Sequence, residues 1–107
     1  MTGPRVGQIA VIFVARRTDD DAAGYAAAAQ AMAELAAAQP GYRGMESARA
    51  SDGLGITVSY WADDASAKAW RDHPEHRAIR DAGRDRWYRD YDLSVAEIFR
   101  NYGWRRA

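Results

Sequence analysis

A chain of 107 residues, 48% hydrophobic and 28% charged, has the size and make-up of one folded domain with a modest core, which excludes a multi-domain or intrinsically disordered protein. Fifteen basic residues offset fifteen acidic ones, so no net field draws the molecule to nucleic acid or to an anionic membrane. The lack of cysteine rules out disulfides, thiolate metal sites and thiol nucleophiles. A single domain over residues 1–107 is expected, with an ordered core from about residue 6 to residue 103.

From Val6 to Arg17 the chain is rich in Val, Ile and Phe, which reads as a strand. Its apolar run, Ile9 to Ala15, is too short to cross a bilayer and has no cleavage site, so no membrane association and a cytoplasmic setting are expected. Both alternating sets are apolar: Ala10, Ile12 and Val14 against Ile9, Val11 and Phe13. Such a strand must be covered on two sides, and a chain this small has helices for only one.

Asp19, Asp20 and Asp21 offer a helix cap and favourable charge near a helix N-terminus. The alanine-rich stretch Ala22 to Gln39 then carries Tyr25, Ala29, Met32 and Leu35 or Ala36 on one stripe until Pro40 and Gly41 stop it. Tyr42 to Ala50 and Leu54 to Trp61 read as two strands joined at Ser51, Asp52 and Gly53. Asp63 or Asp64 caps a short helix to Arg71, and Pro74 begins another running toward Gly83. Arg84 to Asp90 reads as a last helical turn entering a loop, and the alternation from Tyr91 onward as a final strand to about Tyr102.

Strand, helix, strand, strand, a helix in two pieces and strand is the split β-α-β-β-α-β order of an α+β, ferredoxin-like fold: a four-stranded antiparallel sheet with helices on one face. The doubly apolar first strand requires the other face to be buried too, most simply against a second copy of the chain, giving a homodimer.

Ser59-Tyr60-Trp61, Ala69-Trp70, His76-Arg77, Gly83-Arg84 and the last strand through Arg100 and Tyr102 carry a resemblance to the antibiotic biosynthesis monooxygenase family, of the dimeric alpha-beta barrel superfamily. It covers about Gly7 to Gly103. The resemblance implies two protomers whose sheets close into a barrel, each with a cavity between its own sheet and helices. Family activities include cofactor-independent, quinone-forming oxygenation and haem degradation.

Both histidines, a tryptophan and four arginines fall between Ala69 and Arg84. His76 is the candidate base, since an imidazole titrates near neutrality. The plain alternative is a ring that fixes the loop between two helices. His73, before Pro74, reads as a cap or an exposed ring. A metal held by the two histidines lacks a third ligand, so no metal is expected. Arg84 and Arg80 are candidates to steady an oxyanion, against the ordinary reading of a solvated charged helix. Trp70, Trp61, Tyr60, Trp87 and Tyr88 are candidates to line a pocket for a small aromatic molecule, against the reading of simple core packing.

In the haem-degrading pattern that the resemblance brings, an axial histidine stands ten residues beyond the helical tryptophan. Ten residues beyond Trp70 stands Arg80, and the first strand has no asparagine. The quinone-forming pattern pairs asparagine with tryptophan, but Asn101 is the only asparagine here. The expectation is a cofactor-independent monooxygenase acting on an electron-rich aromatic or polyketide-like compound. The alternatives are a non-catalytic dimer that binds a small metabolite and a haem-binding or haem-degrading protein.

Overall fold

A computed structural model describes residues 3–107. In chain order its elements are β1 (Ile9–Arg17), α1 (Ala22–Ala37), β2 (Tyr42–Arg49), β3 (Leu54–Trp61), α2 (Asp64–Arg71), α3 (Pro74–Ala82), a π-helical turn (Gly83–Trp87) and β4 (Tyr88–Glu97). The strands lie in the order β2-β3-β1-β4, with every neighbouring pair antiparallel. This is the α+β, ferredoxin-like sheet that the order of elements predicts.

Local signals act where they are expected. Asp63 accepts a hydrogen bond from the Ser66 amide at 2.7 Å and caps α2. Asp21 caps α1 through the Gly24 amide, and the His73 ring caps α3 through the Glu75 amide, with Pro74 in the first turn. Gly53, at φ 96°, supplies the turn between β2 and β3, a conformation that side chains disfavour.

Register assigns the faces. Ile9 pairs with Trp61, Val11 with Ser59 and Phe13 with Thr57, so these residues share one face, and α1 and α2 lie on it. The core there joins Ile9, Trp61, Ala36, Ala67 and Trp70, with Val11, Met32, Leu35, Tyr42 and Met45 packed around them. Trp61 is completely buried, which removes enough apolar surface to stabilise the fold by about 4–6 kcal/mol before entropy is counted. Ala10, Ile12 and Val14 pair with Tyr60, Val58 and Ile56 and form the opposite face, which no helix covers.

The last third departs from the sequence reading. Arg84 to Trp87 is not a turn fading into a loop: the π-helical turn holds it, and β4 begins at Tyr88 rather than Tyr91. β4 also ends at Glu97, short of Tyr102, and β1 starts at Ile9, not Val6. Beyond Glu97 the chain leaves the β1–β4 ladder and is tied instead to the N-terminal segment, through the Ile98 amide to Gln8 and the Gly3 amide to Asn101. Arg16 pairs with Asp90 but Arg17 with Tyr88, so Arg89 is an extra residue in β4. That bulge puts Tyr88 and Tyr91 on the same side of the strand despite their odd spacing.

Candidate functional site

The candidate residues gather in two groups on the helical side, with one outlier across the sheet. In the first group Trp61 and Trp70 stack at 5.8 Å between ring centroids and 23° between planes, and the His76 ring lies 4.3 Å from that of Trp70. Trp61 is held in turn by its Nε1–H, which donates to Ser59 Oγ at 3.0 Å. Both indoles are buried.

His76 Nδ1 lies 2.9 Å from the Trp70 carbonyl oxygen. A carbonyl only accepts, so this contact fixes the proton on Nδ1 and leaves Nε2 with its lone pair. Burial pushes the imidazole below its ordinary range, opposed by that carbonyl bond and assisted by the charge of Arg80. The ring is therefore neutral at pH 7. Arg80 stands one helical turn further on, where its Nη1 reaches the Arg71 carbonyl only at 3.5 Å. Its Nε is buried without a hydrogen-bond partner, an arrangement that calls for an acceptor.

The second group surrounds Tyr88. Phe13 lies 5.3 Å from Tyr88 and stacks on Tyr91 at 5.1 Å, and Tyr25 meets both Trp87 and Tyr88 edge-on at 6.1 Å. Burial, followed by the nearby Tyr25 hydroxyl, pushes the Tyr88 phenol well up, so it stays protonated. Gly83 makes this packing possible: a Cβ there would sit 2.5 Å from the Tyr88 ring. Trp87 is buried, and its Nε1–H donates to Asp21 at 3.3 Å, beside Arg86 at 3.2 Å on the same carboxylate oxygen. Trp87 thus ties the π-helical turn to the start of α1. Arg84 donates from Nε to the Tyr91 hydroxyl at 2.7 Å.

Tyr60 belongs to neither group. Strand alternation sets it opposite Trp61, on the helix-free face, where the Arg5 guanidinium lies 3.7 Å over its ring and its hydroxyl donates to Glu46 at 3.0 Å. A pocket that contains Trp61 and Trp70 therefore does not contain Tyr60. A concavity of about 880 Å³ occupies that open face, with Arg5, Tyr60, Glu46, Ile12 and Val58 in its lining. A smaller cleft of about 300 Å³ lies at Arg84, Tyr88, Arg89, Asp90 and Tyr91. Neither is lined by Trp70 or His76.

Comparison with known proteins bears on the whole arrangement. The family model described as antibiotic biosynthesis monooxygenase matches residues 8–82. The chain belongs to the antibiotic biosynthesis monooxygenase family. The matched stretch of this family member contains Trp61, Trp70, His76 and Arg80, and it ends before the π-helical turn. A relative from Bacillus subtilis (strain 168), described as uncharacterized protein YqjZ, is 44% identical over 97 residues, covering 91% of this chain and 84% of its own. Among solved structures, Rv0793 from Mycobacterium tuberculosis has a TM-score of 0.79 at 16% identity, covering 90% of this chain and 99% of its own. SnoaB, a cofactor-independent oxygenase from Streptomyces nogalater, has a TM-score of 0.72 at 13% identity, covering 95% and 97%. At these identities the two structures establish the shared fold.

Phe13 and Tyr25 are members of the second group that the sequence does not single out. Both sit on faces legible as apolar, but their meeting with Tyr88 depends on the bulge at Arg89 and the π-helical turn, neither of which has a sequence signal. Among the described residues no group of three or more His, Asp or Glu side chains is placed to hold a metal ion.

Proposed function

We propose that this protein is a homodimeric, cofactor-independent monooxygenase acting in the cytoplasm on an electron-rich aromatic small molecule, with His76 as its base. The observation that carries this reading is the state of His76. Its Nδ1 is committed to the Trp70 carbonyl, its pKa is lowered by burial, and its Nε2 makes no hydrogen bond among the described residues. A neutral, oriented imidazole with a free lone pair beside an indole wall is suited to taking a proton from a phenol or from an activated ring carbon.

Arg80, with its unpartnered Nε, supplies the positive charge that steadies the resulting anion. The anion gives electrons to dioxygen directly. One oxygen atom forms the new carbon–oxygen bond, the other leaves as water with two hydrogens of the substrate, and a ring carbon is oxidised to a carbonyl. Trp70 keeps bulk water from the base. Arg84, the other expected cation for the anion, belongs to the second group, beside Tyr91 and apart from His76, so that role falls to Arg80.

Dimerisation is supported by the helix-free face, which exposes Ile56, and by Phe99, Tyr102 and Trp104, all exposed beyond β4. The cytoplasmic setting is supported by the absence of cysteine. Among the described residues no helix is long and apolar enough to cross a membrane.

Oxygen uptake with a panel of hydroquinones, anthrones and flavonols, without added cofactor, tests the oxygenase reading. Turnover by the native protein that falls at least a hundredfold in His76→Ala and more than tenfold in Arg80→Gln is expected. Turnover unchanged in both variants would refute the assigned site. No turnover would favour a non-catalytic metabolite-binding dimer. Haem binding meets the obstacle that Arg80 occupies the axial register, and guanidinium stays protonated. A saturable Soret shift on haemin titration, lost in His76→Ala, would overturn cofactor independence.

A further inference from the structure

The edge of the sheet at the start of β4 carries a second cleft whose chemistry is independent of His76. We infer that it is a recognition site for the carboxylate of a single-ring aromatic acid. The cleft has a volume of about 300 Å³ and is lined by Arg84, Tyr88, Arg89, Asp90 and Tyr91, which places it at the lower end of ligand-pocket sizes, about 300–1,000 Å³, with room for one ring.

Charge selects the ligand's sign. Of the three charged groups in the lining, Asp90 is paired at 3.7 Å with Arg16, its partner across the β1–β4 ladder. Neither Arg84 nor Arg89 makes an ion pair among the described residues. Two guanidinium groups thus face a space whose single acid is already matched.

Geometry selects the shape. Arg84 spends its Nε–H on the Tyr91 hydroxyl at 2.7 Å, and Tyr91 is itself fixed by stacking on Phe13 at 5.1 Å. The guanidinium is therefore oriented in advance, with both Nη groups left over. That edge is the one that takes a carboxylate through two parallel hydrogen bonds. The Tyr91 hydroxyl, having accepted from Arg84, keeps its own proton to donate. Tyr88, at 5.9 Å and 72° from Tyr91, adds a second ring, and its raised pKa keeps it a neutral wall. An aromatic ligand ring can lie against these tyrosines while its carboxylate meets the arginines.

Two backbone irregularities converge on this spot. The π-helical turn Gly83–Trp87 presents Arg84, and the bulge at Arg89 turns Tyr88 and Tyr91 to one side. Both devices cost regular hydrogen bonding, and both recur where side chains must be aimed at a ligand.

Benzoate is the probe, titrated into the intact protein while the Arg84 Nε–H and tyrosine ring signals are followed by NMR. Benzamide, acetate and inorganic phosphate are the comparison ligands. Saturable shifts of the Arg84 and Tyr88 signals with benzoate, on the order of millimolar affinity, are expected, at least tenfold weaker with benzamide and with acetate. Arg84→Gln and Arg89→Gln should each weaken benzoate about tenfold, and Arg84→Lys should fail to restore it because ammonium cannot form the fork. Equal shifts with benzamide would overturn the carboxylate, equal shifts with acetate would overturn the aromatic ring, and tighter binding of phosphate would replace both with a general anion site. Benzoate binding should survive in His76→Ala, so loss of oxygenase activity and loss of this site are read separately.

Discussion

Gly83→Ala sets two known effects against each other, and the structure decides which wins. In an ordinary helix interior, alanine in place of glycine stabilises by about 1 kcal/mol, and Gly83 has φ −61°, so the backbone raises no objection. The added Cβ, however, would lie 2.5 Å from Tyr88 Cε2 and 2.8 Å from Cδ2. Normal contact needs about 1 Å more. The ring cannot simply swing aside, because Phe13 at 5.3 Å, Tyr91 at 5.9 Å and Tyr25 at 6.1 Å surround it. Because the ring is enclosed, the upper half of the overpacking range, about 2–3 kcal/mol, applies, so after the helix gain the net effect is a loss of about 1–2 kcal/mol, or a Tm lower by roughly 4–15 °C for a domain of this size. Thermal and urea unfolding at fixed protein concentration measures it, since the stability of the proposed dimer would depend on concentration. Tyr88→Leu, which removes the ring, should recover most of the loss in the double variant, with a coupling of about 1 kcal/mol. A Gly83→Ala protein as stable as the native one, or additive effects in the cycle, would refute the close approach of Gly83 and Tyr88.

Trp61→Ala should cost about 3–5 kcal/mol, because the indole is wholly buried against Trp70 and Tyr42; a loss below 1 kcal/mol in urea unfolding would contradict that burial. The Asp21 carboxylate is held below the usual range by Arg86, then Trp87, then the Gly24 amide. Its contribution is complete above the unfolded value near pH 4 and is lost as pH falls through the lower folded value. Asp21→Asn keeps the αL geometry that Asp21 adopts at φ 50°. It should lower stability at pH 7 and converge on the native protein in acid, and a deficit independent of pH would exclude the charge as the cause. Because burial lowers the His76 pKa, the base form persists to below about pH 6.5. The acid limb of kcat/KM should therefore fall below that value and vanish in His76→Gln, whereas a limb at higher pH would point to another group.

Most of the architecture was legible because periodicity encodes it. The apolar alternation of Ile9 to Val14 announced β1, and Asp21, Asp63 and Pro74 marked the helix starts to within a residue. The start of β4 was not legible. Arg84 to Asp90 has no helical stripe and no clean alternation, because its π-helical turn and its bulge both break the periods on which sequence reading rests. The candidate site shows the same division. Trp70 and His76 were named from residue type and meet in space, since both lie on the short helices α2 and α3. Tyr60 was grouped with Trp61 by adjacency, although adjacent residues of a strand point to opposite faces. Arg84 was read for its charge and for the Gly83-Arg84 pair, and its commitment to Tyr91 needed the bulge to be known.

That division has a physical consequence for how the molecule can evolve. The Trp61–Trp70–His76 stack is built on regular elements, so its geometry is coupled to the core: Trp61 contributes to folding and orients Trp70, whose carbonyl in turn sets the His76 tautomer. Changing His76 or its neighbours there means changing the fold's stability. The Arg84 cleft is built from a turn and an edge strand, and its charged members are exposed. On the proposed reading, substitutions at Arg84 or Arg89 would therefore alter the preferred ligand at little cost in stability, while Gly83 and Tyr88 beneath them keep the cleft's floor in place. Ligand preference at such a cleft could thus drift while the stack stays in place, a route by which one fold can serve many substrates.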